Sequence, residues 1–214
     1  MYGFPMKVVT EKVMVTLRPF SKDEVAKFVP HFNSMVIHKY TMGMFTQTIE
    51  NEHEWYEKNR QDKSSVTWGI VPEGETDLVG ITGLHHLDDY FGACSSGIII
   101  FKQDWWGKGV ASASHLARTM FAADYLGRIV INSSVRSENL GSKRALERIG
   151  YTVWGTDPIT IQRGGKWLAT DNLKWFHPER KEILFPDGVP GKFAEGLDKA
   201  KIALDMAREV VTFI

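Results

Sequence analysis

Residues 101–112 read Phe101-Lys-Gln-Asp-Trp-Trp106-Gly107-Lys108-Gly109-Val110-Ala111-Ser112. Just upstream, Ile98-Ile99-Ile100-Phe101 has the unbroken apolar character of a strand buried on both faces. Downstream, over 110–125, Ala113, Leu116, Ala117 and Met120 recur at helical spacing. The stretch is therefore a strand-to-helix junction with two glycines in it. Glycines let the backbone curl so that several N–H groups point one way, and the helix that follows adds the positive end of its dipole. Such a junction suits a diphosphate, with Lys108 supplying charge; the same pattern also describes a tight turn with no ligand. It has neither the P-loop spacing nor a three-glycine dinucleotide fingerprint.

Outward from the junction, 93–101 and 77–87 read as two antiparallel strands joined through Asp88-Asp89-Tyr90-Phe91-Gly92. Residues 66–71 form a third strand, ending in the turn Pro72-Glu-Gly74. Before it lies a polar helix over 48–59, and before that a helix opened by the capping box Ser21-x-x-Glu24 and running to Pro30 or Phe32. Residues 13–17 are the first strand. On the other side, 128–135 returns to strand and 139–149 is a short helix stopped by Gly150. Thr160-Ile-Gln-Arg-Gly164-Gly165-Lys-Trp-Leu168 is a hairpin whose two glycines take the positive φ its turn needs. The order is a mixed α/β sheet, with no repeat and no low-complexity tract.

The chain divides into a domain over 1–177 and a tail over 178–214 consisting of a Pro-containing linker and a terminal helix. Along that helix Phe193, Leu197, Ala200, Leu204, Ala207, Val211 and Ile214 fall in steps of four and three, a coiled-coil-like seam. Ile202, Met206, Val210 and Phe213 widen it. Two readings stand: packing on its own domain, or a contact between subunits of a homodimer.

Lys plus Arg and Asp plus Glu number 26 each, so no bulk charge calls for a nucleic-acid or membrane partner. No apolar run is long enough to span a bilayer, and residues 1–7 lack a signal-peptide core, so the cytoplasm is the expected compartment. Cys94 is the single cysteine, which rules out an internal disulfide and a thiolate zinc site, and no metal is expected.

Trp106-Gly-Lys-Gly-Val-Ala111 resembles the acetyl-CoA signature of the GNAT superfamily, Gln/Arg-x-x-Gly-x-Gly/Ala. Trp106 stands in the first position, as in the branch that contains the ribosomal-protein N-terminal acetyltransferases (RimJ/RimL-type). Asn139-x-x-Ser142 followed by Leu146-Glu-Arg-Ile-Gly150-Tyr151 resembles the same branch, and Thr16-Leu-Arg-Pro19 and the hairpin through Lys166-Trp167 and Asp171 agree with it. The resemblance covers roughly 12–177. It implies a mostly antiparallel central sheet flanked by helices, with the C-terminal helix added to it. It also implies that strand backbone at Ile99, Ile100 and Phe101 pairs with the pantetheine arm of acetyl-CoA. The amides of Trp106, Gly107, Lys108, Gly109, Val110, Ala111 and Ser112 would then hold the pyrophosphate. Asn139 is by itself a good helix N-cap; the resemblance adds a hydrogen bond near the pantetheine.

The resemblance makes Ser142 the proton donor to the departing thiolate, the tyrosine used elsewhere in the superfamily being replaced by Leu146. As bases for the amine, His85 and His86 are candidates by pKa, although strand neighbours face opposite ways and at most one can point at a substrate. Asp88, Asp89 and Glu52 are candidate carboxylates, and a water chain serves equally. Cys94, without a base nearby, reads as structural. The expected activity is acetyl transfer to a primary amine, of a protein N-terminus or of a small molecule such as a polyamine or aminoglycoside. The alternative is a non-catalytic acyl-CoA-binding module.

Overall fold

A computed structural model of the chain describes residues 1–41 and 45–214. Nine strands form one sheet: β1 (Met6–Val9), β2 (Met14–Arg18), β3 (Val66–Pro72), β4 (Gly80–Asp88), β5 (Ala93–Ile100), β6 (Val130–Arg136), β7 (Thr152–Arg163), β8 (Lys166–Phe176) and β9 (Val211–Phe213). Their order across the sheet is β7-β8-β6-β5-β4-β3-β2-β1-β9. Every neighbouring pair is antiparallel except β5 and β6, which are parallel. The helices are α1 (Lys22–Ala26), α2 (Val29–Phe32), α3 (Met35–His38), α4 (Ile49–Gln61), α5 (Val110–Met120), α6 (Leu140–Glu147), α7 (Lys181–Leu184) and α8 (Gly191–Val210).

Local sequence accounts for most of these ends. Ser21 and Glu24 make both bonds of a capping box at α1, and Thr48 with Asn51 does the same at α4. The single helix expected from Ser21 to Pro30 or Phe32 is instead two, broken at Lys27 and Phe28, because Pro30 lacks the N–H a continuing helix needs and sits in the first turn of α2. Gly164 and Gly165 turn the β7–β8 hairpin at φ of 56° and 75°.

Packing divides by sheet face. One face carries α5 and the larger core, including Val15, Leu17, Leu84, Ala117, Ile131 and Trp175. The other carries an aromatic cluster in which Phe20, Phe28 and Phe101 are buried with Trp55 and Tyr56 against them. The strand 98–101 departs from its expected burial on both faces: Ile98, Ile99 and Ile100 are only half-buried, since β6 stays beside β5 just from Ala93 to Ser95 and then diverges.

Residues 178–214 are built onto this domain. The helical seam ends at Val210 rather than continuing to Ile214, and Val211–Phe213 turns into β9 and pairs with β1. Phe193, Leu197, Ala200, Leu204 and Ala207 are buried against the chain's own sheet and α5, the first of the two readings of the seam. The approach is close at Gly150 (φ 100°), where an added Cβ would lie 2.5 Å from the Ala200 nitrogen.

Candidate active site

The divergence of β5 from β6 creates the site. Antiparallel pairing with β4 continues along β5 to Ile100 opposite Gly80, whereas parallel pairing with β6 stops at Ser95 opposite Asn132. The orientation of the remaining peptide groups follows from one bond. The Phe101 N–H donates to the Val79 carbonyl at 2.9 Å, so position 101 faces β4 and, by alternation, 96, 98 and 100 face away from it. Side chains have taken two of those three carbonyls: Ser133 Oγ donates to Ser96 O at 3.2 Å and Trp106 Nε1 to Ile100 O at 2.8 Å. Ile98 lies between them, its backbone directed into the gap.

Beyond Ile100 the chain makes a 3-10 turn over Gln103–Trp105, where Glu75 accepts hydrogen bonds from Lys102 Nζ and Trp105 Nε1, both at 2.9 Å. Gly107 and Gly109 then adopt φ of 75° and 90°, values that side chains resist. Gly109 is the N-cap of α5 and brings no capping side chain. The first N–H groups of α5, at Val110, Ala111 and Ser112, therefore have no intrahelical acceptor and point out of the helix end with its dipole. A diphosphate would satisfy them.

Gap and loop open into one cavity of about 1450 Å³. It is bordered by Ile99, Ile100, Trp106, Gly107, Gly109, Val110, Ala111, Ser112, Asn139 and Ser142 from the sequence-derived set. Asn139 caps α6, its Oδ1 accepting from the Ser142 N–H at 3.1 Å, which presents Ser142 on the first turn with no hydrogen bond to its hydroxyl among the described residues. Lys143 Nζ pairs with the buried Asp171 at 2.7 Å and fastens that turn to β8.

Other expectations need correction. Ile99, although on the cavity border, turns its backbone to β4 opposite Ile81, so the peptide groups that face the gap are those of Ile98 and Ile100. Phe101 does not border the cavity: its N–H is engaged by β4 and its ring is buried beside Phe28 and His31, with centroids 4.9 and 5.1 Å away. Lys108 directs its Nζ over the Trp105 ring, 5.0 Å from the centroid, and is likewise off the cavity wall. The amide of Trp106 donates to Gln103 O at 2.9 Å, so its contribution is the indole.

Neither His85 nor His86 borders the cavity. His85 lies over Gly83, on the face opposite Thr82 and α5, and burial holds its pKa below the ordinary histidine value. His86 is exposed at φ 52° where the β4–β5 register shifts. The carboxylates are elsewhere too. Asp88 caps the β4–β5 turn through Tyr90 and Phe91 N–H, Asp89 pairs with Arg128, and Glu52, its pKa raised by burial, lies on α4. Cys94 is buried, its thiol pushed up to about 11 by that burial, and Leu146 belongs to the core.

The structure also brings in residues with no local signal. Ile37 and Tyr40, from α3 and just after it, line one side of the mouth, and Asp157, Thr160, Thr170 and Asn172 of β7 and β8 line the other. Arg163 near the hairpin tip donates to the carbonyls of His38 and Thr41, tying the two sides together.

A parallel pair of strands splayed over a glycine-capped helix presents unpaired backbone groups suited to a long, phosphate-bearing ligand. The chain belongs to the acetyltransferase (GNAT) domain family, whose model matches residues 14–152. It is an acetyltransferase. No curated protein matches it. Among solved structures it is similar to Mycobacterium smegmatis RimJ in complex with CoA-disulfide (16% identity, 98% of this chain and 95% of that one, TM-score 0.69). It is also similar to Vibrio cholerae spermidine N-acetyltransferase in complex with CoA and spermine (18%, 76% and 95%, TM-score 0.68). A third is a GNAT-family acetyltransferase from Bacillus anthracis (21%, 79% and 98%, TM-score 0.64). At these identities the likeness is one of fold.

Proposed function

We propose that the protein transfers an acetyl group from acetyl-CoA to a primary amine by direct attack in a ternary complex. The observation that carries this reading is the continuity of the cavity from the α5 N-terminus, along the unpartnered edge of β5, to Ser142. Acetyl-CoA supplies an activated thioester: the C–N bond forms at its carbonyl carbon as the C–S bond breaks.

The chain's own residues have distinct tasks. Val110, Ala111 and Ser112 N–H groups, with Gly107 and Gly109 shaping the approach, hold the pyrophosphate. The Ile98 carbonyl and the Ile100 N–H are offered to the pantetheine, and Asn139 fixes the turn carrying Ser142. Ser142 Oγ delivers a proton to the departing sulfur. With both histidines off the cavity, the proton lost by the amine leaves through water, and alignment of amine and thioester provides much of the rate.

The acceptor enters between Tyr40 and the β7–β8 hairpin. Of the cavity-lining residues on that hairpin Asp157 is the one carboxylate, and both it and Arg136 of β6 pair in register with Thr170. A polycation would want several carboxylates there. That balance favours a single amine, the α-amine of a protein N-terminus, over a polyamine. Release of CoA thiol, followed with a panel of free N-terminal peptides, spermidine and N-acetylated control peptides, tests the assignment. Turnover on free peptides alone is expected. Turnover on spermidine alone would reverse the acceptor assignment. CoA binding without release on any amine would instead identify a non-catalytic module, and absence of CoA binding by calorimetry would overturn the reading.

A further inference from the structure

Arg118 of α5 has none of its surface exposed and no carboxylate partner among the described residues. Its Nη1 donates to Thr82 Oγ1 and to the Gly97 carbonyl, each at 2.7 Å, and its Nη2 faces His115 Nδ1 at 2.8 Å. A guanidinium can only donate, so His115 accepts at Nδ1 and is neutral. Tyr151 also faces the guanidinium, and the neighbouring Cys94 is a neutral thiol. A buried cation with only neutral partners is costly in the resting protein, and nothing in the core explains it.

What the charge touches is informative. The Gly97 carbonyl receives Arg118 Nη1 and also Thr82 Oγ1 at 3.0 Å. The C=O of Gly97 and the N–H of Ile98 belong to one planar peptide and point in opposite directions. Position 97 faces β4 and position 98 faces the gap, so the charge sits behind a peptide whose N–H projects into the cavity beside β5. Donors on a carbonyl oxygen draw electron density from its amide nitrogen and strengthen the N–H as a donor. In a dry interior a full positive charge does this most strongly.

We propose that Arg118 is a positioning residue for acyl transfer. It polarises the Gly97–Ile98 peptide from behind, and the Ile98 N–H thereby holds the thioester carbonyl oxygen as negative charge gathers on it. The anion missing from the resting core is the one that develops during the reaction. This inference rests on acetyl-CoA being the donor.

Infrared difference spectra of bound [1-13C]acetyl-CoA test it without requiring turnover. The carbonyl stretch should move to lower frequency on binding the wild-type protein. Part of that displacement should be lost in Arg118→Met, and Arg118→Lys should lose less of it. Thr82→Val, which removes one donor to Gly97 O and leaves the charge in place, should lose a fraction and serves as the probe if Arg118 variants fail to fold. In Arg118→Met, where the Ile98 N–H remains and only its polarisation is lost, kcat should fall by about 10-fold, with CoA affinity within about 3-fold of wild type. An undisplaced band in wild-type protein that binds acetyl-CoA would overturn the inference. So would a wild-type band position in folded Arg118 and Thr82 variants. A wild-type protein that binds no acetyl-CoA would instead overturn the donor assignment beneath it.

Discussion

The Trp106 indole reaches back over the loop to donate to the carbonyl of Ile100, 2.8 Å away, and so fastens the glycine turn to the strand edge from which it departs. Trp106→Phe keeps the ring and removes the donor. A single such bond contributes about 1 kcal/mol, so CoA affinity should weaken by roughly 5-fold while kcat at saturating donor is unchanged. Calorimetric titration with CoA beside steady-state kinetics checks both parts. A fall in kcat alone would mean that the indole acts on the chemical step.

Gly109 and Gly107 both have positive φ, but their surroundings differ. A Cβ on Gly107 meets nothing within 4 Å, whereas one on Gly109 comes 3.4 Å from Lys12 Cβ and 3.5 Å from Val13 Cγ1. Gly107→Ala should therefore cost only the conformational strain, about 1–2 kcal/mol, which is roughly a 10-fold loss of CoA affinity. Gly109→Val adds crowding and a β-branch at the N-cap, and CoA binding should become undetectable at micromolar concentrations. Unchanged affinity in folded Gly109→Val would remove the phosphate from this loop.

Ser142 has its amide, not its hydroxyl, engaged by Asn139. Ser142→Ala should leave the cap intact, with CoA affinity within about 2-fold, and lower kcat by roughly 100-fold as a lost proton donor does. Equal losses in affinity and turnover would make it a binding residue.

Gly150→Ala tests the seating of α8. The new methyl would lie 2.5–2.6 Å from Ala200 backbone, at φ 100°. Overpacking and strain together should cost about 3 kcal/mol, read as a lower urea midpoint with an unchanged slope.

Acid should destabilise the fold in two stages. His115 is fully buried, and burial, followed by the Arg118 charge, holds its pKa well below the ordinary 6.5. The unfolded chain therefore binds more protons below that value, and stability present at pH 7.5 is lost as pH falls through 6.5, with a limiting slope of about 1.4 kcal/mol per pH unit from this residue. His115→Asn, which can still accept from Arg118, should flatten the urea-stability profile between pH 7.5 and 5.5. Asp171 acts lower. Burial would raise its pKa, but hydrogen bonds from Lys143, Thr156 and Ser137 outweigh it and hold the pKa below the ordinary carboxylate value. That contribution is present above the ordinary value and lost as pH falls through the depressed one.

What the sequence disclosed was whatever a few adjacent residues determine. The glycine turn, the Asn139 cap, the Ser21 capping box and the Gly164-Gly165 hairpin all depend on neighbours within four positions. Strands β1 and β9, of four and three residues, are too short for alternation to show, and they pair with each other across most of the chain's length. Phe101 and His85 depart from the sequence expectation for a related reason: the strand pairing of β4 and β5 decides which peptide groups face the gap and which sheet face a side chain takes. Arg118 sits in an apolar helix pattern, and no local feature distinguishes a buried arginine from one lying along a surface.

Pairing of Val8 with Val211 gives β1 a partner more than two hundred residues downstream. At roughly 5–20 residues per second of synthesis, that edge stays bare for about 10–40 seconds after it emerges. During that interval the nascent chain offers a ready hydrogen-bonding template to other chains. Slow translation would lengthen the exposure, so yield of this protein in cells should depend on elongation rate as well as on equilibrium stability.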